Sequence, residues 1–443
     1  MRRRGLAIGT VGALALVAGL ALSTRAPADA ADEGAAVASL GPWPPAQARD
    51  PSNRLSGRAE AIALGEALFH STRLSTVGGL RCASCHEPWR RFTDGRARAR
   101  GAAEGARNTP TLAADASNRM SGRAEAVALG EALFHSTRLS TVGGLRCATC
   151  HEPWRRFTDG RALALGAETG GRHTPSLLNV RLQHWFGWDG ANDSLWSQSI
   201  RPMLDPREMR SDPARIAKAV RDDDTLKRLY ATTFGRAPPA DDEAVLVDVG
   251  KALAAYQETL MSERTPFDAF RDALVRSDLD AAARYPAAAR RGLRLFVGRG
   301  GCIACHAGPN FSDGEFHRSR IASKLPGGAP DNGRALGVAK LLASPYSRSG
   351  RFNDDARAAT TPAPTSQVGA FRTPGLREVD TTAPYMHDGS VANLCDAVSP
   401  HAISEGLPPT ALSFAERREV VAFLRTLSAP REAIVDEAAV TCR

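Results

Sequence analysis

The sequence predicts a mainly α-helical protein of several domains, and three observations carry that prediction. Apolar residues recur at three- and four-residue spacing behind cap residues, as with Leu246, Val249, Leu253, Tyr256 and Leu260 between Asp241 and Met261. No stretch is dominated by the alternating apolar and polar residues of a half-buried strand. The pattern Cys-x-x-Cys-His occurs three times, at Cys82/Cys85/His86, Cys147/Cys150/His151 and Cys302/Cys305/His306. A chain of 443 residues holds roughly two to four domains with cores of their own.

The cysteines decide the class. Six of the eight lie in those three units, leaving Cys395 and Cys442. Disulfides or zinc would account for paired cysteines, but neither explains a His directly after the second Cys in every unit. Covalent attachment of haem c does: two thioethers hold the porphyrin and the adjacent His reaches the iron. Three haems are expected from the motifs, with His86, His151 and His306 as iron ligands. Cys395 and Cys442 read as a disulfide or as free thiols.

The elements follow in order. Met1-Arg2-Arg3-Arg4 precedes an apolar run from Leu6 to Leu22, and Ala28-Asp29-Ala30 offers a cleavage site. Residues 1–30 therefore read as a secretory signal peptide, with an uncleaved anchor as the alternative, and the mature protein is expected in the periplasm. Residues 31–51, with Gly41-Pro42-Trp43-Pro44-Pro45, read as a Pro-rich linker without a core of its own.

A tandem repeat comes next, at an offset of 65. Ser52–Ala97 and Ser117–Ala162 differ only at Leu55/Met120, Ile62/Val127 and Ser84/Thr149. Each copy should open with a helix after a Ser cap (Ser121 in the second) and then turn at Gly-Gly into its Cys motif. Only the second copy continues into Trp188-Asp189-Gly190, Gln198, Pro202 and Glu208-Met209. Beyond these, Ser211-Asp212-Pro213 starts a helix, Tyr285–Val297 is another, and Ser413–Leu427 ends the fold with a capping box from Ser413 to Glu416. Residues 318–370, rich in Gly, Pro, Ser and Ala, are expected to be a long, partly mobile loop.

The formal charge of +9 falls to +6 when residues 1–30, with four Arg and one Asp, are set aside. The remaining Arg residues are dispersed, so nucleic acid is not an expected partner; a basic face for an acidic redox protein is.

Several of these segments resemble the bacterial di-haem cytochrome c peroxidase family, which includes MauG-type oxidases. They are Leu133-Phe134, Arg138-Leu139-Ser140, Cys147–His151, Phe157-Thr158-Asp159-Gly160, Thr174-Pro175-Ser176, Trp188-Asp189-Gly190, Gln198 and Glu208-Met209. In the second half, Leu295-Phe296, Cys302–His306, Phe371–Arg377 and Ala383–Gly389 match as well. The resemblance implies two cytochrome c-like haem domains packed together, here with an additional N-terminal haem-binding repeat. The organisation then reads 52–116 for the duplicated segment, 117–262 for a peroxidatic domain and 263–443 for an electron-transfer domain.

By the same resemblance, Glu208 is the acid–base group, Gln198 orients bound peroxide, Pro202 shapes the pocket and Trp188 relays electrons between haems. Read alone, Glu208 would be a surface carboxylate and Trp188 core. The family carries two haems, against three motifs here. The capping His found between the haem motif and Thr-Pro in many members is missing between His151 and Arg172, which implies an open iron. Counting from Leu394 places the second ligand of the C-terminal haem at His401; a surface His there, or Met386 or His387 as ligand, are alternatives. Calcium between the domains is put in doubt by His173, where the family has Asn, although Thr382 and Pro384 match.

The expected function is reduction of hydrogen peroxide to water with electrons from a small cytochrome c or cupredoxin. A MauG-like oxidation of a partner protein and a non-catalytic multihaem electron carrier are the alternatives, and a homodimer is left open.

Overall fold

The computed structural model describes residues 37, 40–41, 115–318, 321, 325–355, 367–398 and 412–430. The expected signal peptide, the first haem motif (Cys82, Cys85, His86), His401 and Cys442 lie outside the described residues. Cys395 is disulfide-bonded.

The first half contains α1 (Ala124–His135), α2 (Cys147–Cys150), α3 (Leu195–Leu204), α4 (Pro213–Asp222), α5 (Asp224–Phe234) and α6 (Asp242–Gln257). Helix α6 is buried on all sides from Val245 to Gln257, so it is the core rather than a cover, and α1, α3 and α4 pack against it. Asp241 caps it: the carboxylate accepts from the N–H groups of Glu243 and Ala244. Asp212 likewise caps α4, with Pro213 in its first turn. Ser121 does not cap α1, which starts after Arg123 without a side-chain cap. Its hydroxyl instead donates to the buried carboxylate of Glu258 and accepts from the Asp115 N–H at 2.9 Å. A buried carboxylate without a donor is costlier than an uncapped helix end.

The second half contains α7 (Pro266–Val275), α8 (Leu279–Ala283), α9 (Ala287–Val297), β1 (Phe316–Arg318), α10 (Arg334–Ala343), β2 (Ala370–Arg372), α11 (Leu394–Ala397) and α12 (Phe414–Arg425). β1 and β2 form one short antiparallel pair, Phe316 facing Arg372. Helices α9 and α12 cross closely at Gly292, where an added Cβ would lie 1.9 Å from the Glu419 carbonyl oxygen. Gly130 of α1 meets α6 in the same way, 2.0 Å from the Ala252 oxygen. Each glycine stands four residues before a buried phenylalanine, Phe134 or Phe296.

The likeness between halves extends further. Asn179 and Glu378 both adopt positive φ, at 63° and 64°, and their N–H groups donate to the carbonyls of Leu260 and Leu427. Isolated bridges join Phe186 to Asn192 and Tyr385 to Val391, the same six-residue interval. Two haem-binding units built on one plan, as expected, make up the body.

One segment gains a place and one expectation needs correction. Val37 and Leu40 of the anticipated linker are buried in the core of the second half, and the Gly41 carbonyl accepts from Arg271 Nη1 at 3.0 Å; apolar side chains in a short segment find a neighbour's core. Within residues 318–370, α10 is an ordered helix. Tyr346 and Phe352 pack against the first core, and Lys251 Nζ reaches the Phe352 carbonyl at 2.8 Å. This stretch of the second half therefore packs on the first.

Candidate haem and peroxide site

The Cys-x-x-Cys turn is itself α2, and His151 closes it with an N–H bond to the Cys147 carbonyl at 2.9 Å. Arg156 and Phe157 then take positive φ and turn the chain back. This brings the Phe157 carbonyl 3.0 Å from His151 Nδ1. A proton committed at Nδ1 leaves Nε2 as the lone-pair nitrogen for iron. The second unit repeats the device: His306 Nδ1 lies 2.9 Å from the carbonyl of Phe311, also at positive φ.

All four described motif cysteines are free. Burial pushes the Cys147 thiol up to about 12, and the Cys150 and Cys302 thiols up to about 11. Among the described residues, Cys305, Asp313 and His317 are the one grouping with metal-ligand spacing, and its cysteine belongs to the haem motif.

A cavity of about 310 Å³ opens beside Cys302, Cys305 and His306, and its wall includes Trp188, Arg372 and His387. Its position on the motif and its apolar walls fit a haem. Met386 also lines it, so both described alternatives for the second iron ligand stand at this cavity. The His387 ring stacks on Phe371, with centroids 3.6 Å apart.

Trp188 comes from the first half yet lines the second half's cavity, and hydrogen bonds fix it there. Its Nε1–H donates to the His173 carbonyl at 2.8 Å, and its own carbonyl accepts from the Arg372 N–H at 2.9 Å. Beside it, Arg172 joins two carboxylates: Nη1 lies 2.7 Å from Asp189, while Nε and Nη2 each lie 2.7 Å from Asp331. Burial opposes all three charges, but pairing wins. It holds both carboxyls below their usual range and the guanidinium above its own. Arg334 completes the clasp, donating to the Gly190 carbonyl at 2.7 Å from between the rings of Trp185 and Phe316.

Gln198 and Arg201 stand one turn apart on α3, with Pro202 next. Pro202 has no N–H to return to the Gln198 carbonyl, and its own carbonyl accepts from Met209 N–H at 3.1 Å, drawing the Glu208 turn against the helix. Glu208 Oε1 accepts from Arg201 Nη2 at 2.9 Å. The charge of Glu208 acts on Cys150 and His151, which puts it near the Cys147–His151 haem motif. The side-chain oxygen of Gln198 accepts from Asn192 Nδ2 at 2.8 Å, leaving its amide N–H groups as donors. Burial, the largest influence, lowers the pKa of His151.

A family profile described as "Di-haem cytochrome c peroxidase" matches residues 59–122 and 124–274. The methylamine utilization protein MauG of Methylorubrum extorquens is 35% identical over 321 residues, covering 70% of this chain and 80% of that protein. The chain belongs to the di-haem cytochrome c peroxidase family. Another relative, the cytochrome-c peroxidase IdrP2 of Denitromonas iodatirespirans, is 32% identical, covering 69% of the chain and 82% of its own length. Among solved structures, the diheme peroxidase BthA from Burkholderia thailandensis aligns with a TM-score of 0.55 at 25% identity, over 69% of this chain and 86% of that one. As a member of this family, the protein is an oxidoreductase of the di-haem peroxidase type with two covalently bound haem c groups.

The calcium expectation does not fit the residues of this family member. His173 Nδ1 is held by the Arg161 carbonyl at 2.7 Å, and the ring offers nitrogen where a hard cation takes oxygen. Sequence reasoning missed Arg201, Arg172 with Asp331, and Arg372. Arg201 had a local signal, standing between Gln198 and Pro202; the others depend on contacts between distant segments.

Proposed function

We propose that the protein is a periplasmic peroxidase that reduces hydrogen peroxide to water with electrons from a small cytochrome c or cupredoxin. Glu208 carries the reading: it is a carboxylate near the Cys147–His151 haem motif, fixed by Arg201 and next to the helix that bears Gln198. The bound haem supplies the electrons and an iron position for the oxidant. Glu208 takes the proton from one peroxide oxygen and returns it to the departing one. Gln198 donates its amide N–H to the peroxide. Arg201 occupies one carboxylate oxygen of Glu208 and leaves the other for the proton. Trp188 passes electrons between the haem units. Two electrons and two protons convert one peroxide into two waters.

Export is supported by the basic Met1–Arg4 start and the apolar run to Leu22. Whether a third haem sits on Cys82, Cys85 and His86 is answered by intact-protein mass.

A second reading, peroxide-driven oxidation of side chains on a partner protein, is favoured by the absence of any His between His151 and Arg172 and by the 35% identity to a MauG protein. Glu208→Gln is the test. Peroxide turnover with reduced cytochrome c should fall by about 10²–10⁴-fold with haem content and reducibility retained. Unchanged turnover would sink the acid–base role of Glu208. If only a partner protein, and not cytochrome c, supports Glu208-dependent turnover, the second reading replaces the first.

A further inference from the structure

We propose that Arg372 is the counter-ion of a propionate on the C-terminal haem and that this ion pair sets the potential of that haem. The inference rests on the haem attached at Cys302, Cys305 and His306 and not on the peroxide chemistry.

Four arginines are buried among the described residues: Arg271, Arg334, Arg372 and Arg377. Three have their charge offset. Arg377 pairs with Asp268 through two bonds of 2.9 Å, Arg271 pairs with Asp272, and Arg334 lies 4.2 and 4.0 Å from the ring centroids of Trp185 and Phe316. Arg372 has carbonyls only. Its Nε and Nη1 donate at 3.3 Å each to Gly187 and Thr373. No carboxylate among the described residues pairs with it, and burial alone lowers its pKa, to about 10.

An isolated buried cation is strongly unfavourable, so a position like this one persists only when an anion completes it. Arg372 lines the cavity beside the Cys302–His306 haem motif. A haem attached there brings carboxylates of its own. A guanidinium has five N–H donors in a fork that matches a carboxylate, and two carbonyls leave part of that fork for it. The neighbouring cations on the wall are less suited. Arg377 is committed to Asp268, His317 is paired with Asp313 at 2.7 Å, and Arg318 is exposed.

The pairing has a redox consequence. A cation beside the propionate offsets negative charge near the iron, which favours the reduced state, so removing it lowers the midpoint potential. Arg372 also holds the carbonyls of Gly187 and Trp188, through its side chain and its main-chain N–H. The group that tunes this haem therefore also anchors the relay.

The test is a spectroelectrochemical titration of the holoprotein with Arg372→Met and Arg372→Lys, together with resonance Raman spectra of the propionate bending bands. In Arg372→Met one haem should titrate at lower potential, the other should stay put, and one set of bending bands should shift. Arg372→Lys keeps the charge without the fork, so its potential should stay near that of the parent while the bands still shift. Unchanged potentials and bands in a fully haem-loaded Arg372→Met would overturn the proposal. If that variant does not assemble, unshifted bands in Arg372→Lys overturn it alone.

Discussion

The main-chain N–H of Arg372 donates to the Trp188 carbonyl at 2.9 Å, and the N–H of His173 donates to the His387 carbonyl at 2.8 Å. Arg372 and His173 each precede a Thr-Pro pair, and Trp188 and His387 each open an Asp-Gly turn. The second bond is thus the image of the first under exchange of the two halves. The haem units meet through equivalent positions, and the indole of Trp188 lies at that meeting point.

Replacing Trp188 with Phe keeps an aromatic ring but removes the N–H that satisfies the His173 carbonyl. Stability should fall by about 1 kcal/mol, and electron transfer from the C-terminal haem to the haem on Cys147, Cys150 and His151 should slow. Denaturant melts and stopped-flow reoxidation by peroxide check the two effects separately.

Arg172→Gln leaves the carboxylates of Asp189 and Asp331 without their shared partner. Breaking a buried pair in this way should cost about 3–5 kcal/mol near neutral pH. Both carboxyls are held low in the folded state, so their contribution is fully present above the unfolded value of about 3.9 and is lost as pH falls through the folded values. The gap between parent and variant should therefore narrow in acid, and urea midpoints measured from pH 7 down to pH 3 will show whether it does.

Glu258 has the opposite sign. Burial raises its carboxyl from 4.5 to about 7, so folding favours the neutral acid. Stability from this group is fully present below the unfolded value and declines as pH rises towards 7, by about 3 kcal/mol in all. Glu258→Gln, which stays neutral, should match the parent at pH 4 and exceed it above pH 7 in thermal melts.

Gly292→Ala places a Cβ against the Glu419 carbonyl and must push α9 and α12 apart. A loss of about 1–3 kcal/mol is expected, seen as a lower melting temperature. Gly130→Ala should do the same for α1 and α6, since the two crossings are built alike.

Much of this was legible from the residues themselves. The haem motifs were, because covalent attachment needs its cysteines and histidine adjacent in the chain. The helices with Asp212, Asp241 and Ser413 were, because caps and apolar spacing are local. Helix α10 was missed because its Ala- and Leu-rich segment sits among Gly, Pro and Ser, and its burial depends on Gly337 closing onto the Asp189 carbonyl. Ser121 was misread as a cap because its competing partner, Glu258, is 137 residues away. The unpaired charge of Arg372 was invisible for the same reason: the lack of a partner is a property of the folded surroundings.

The matched pair of bonds that joins the halves, from the N–H of His173 to His387 and from the N–H of Arg372 to Trp188, uses main-chain atoms only, and the Arg372 side chain adds a bond to the Gly187 carbonyl. That pair is written in the backbone, so any residue but proline at these two positions retains it. A library of non-proline residues at both positions should keep the paired main-chain bonds while its redox behaviour spreads. Geometry is inherited from the backbone, and electronic character is written separately onto it.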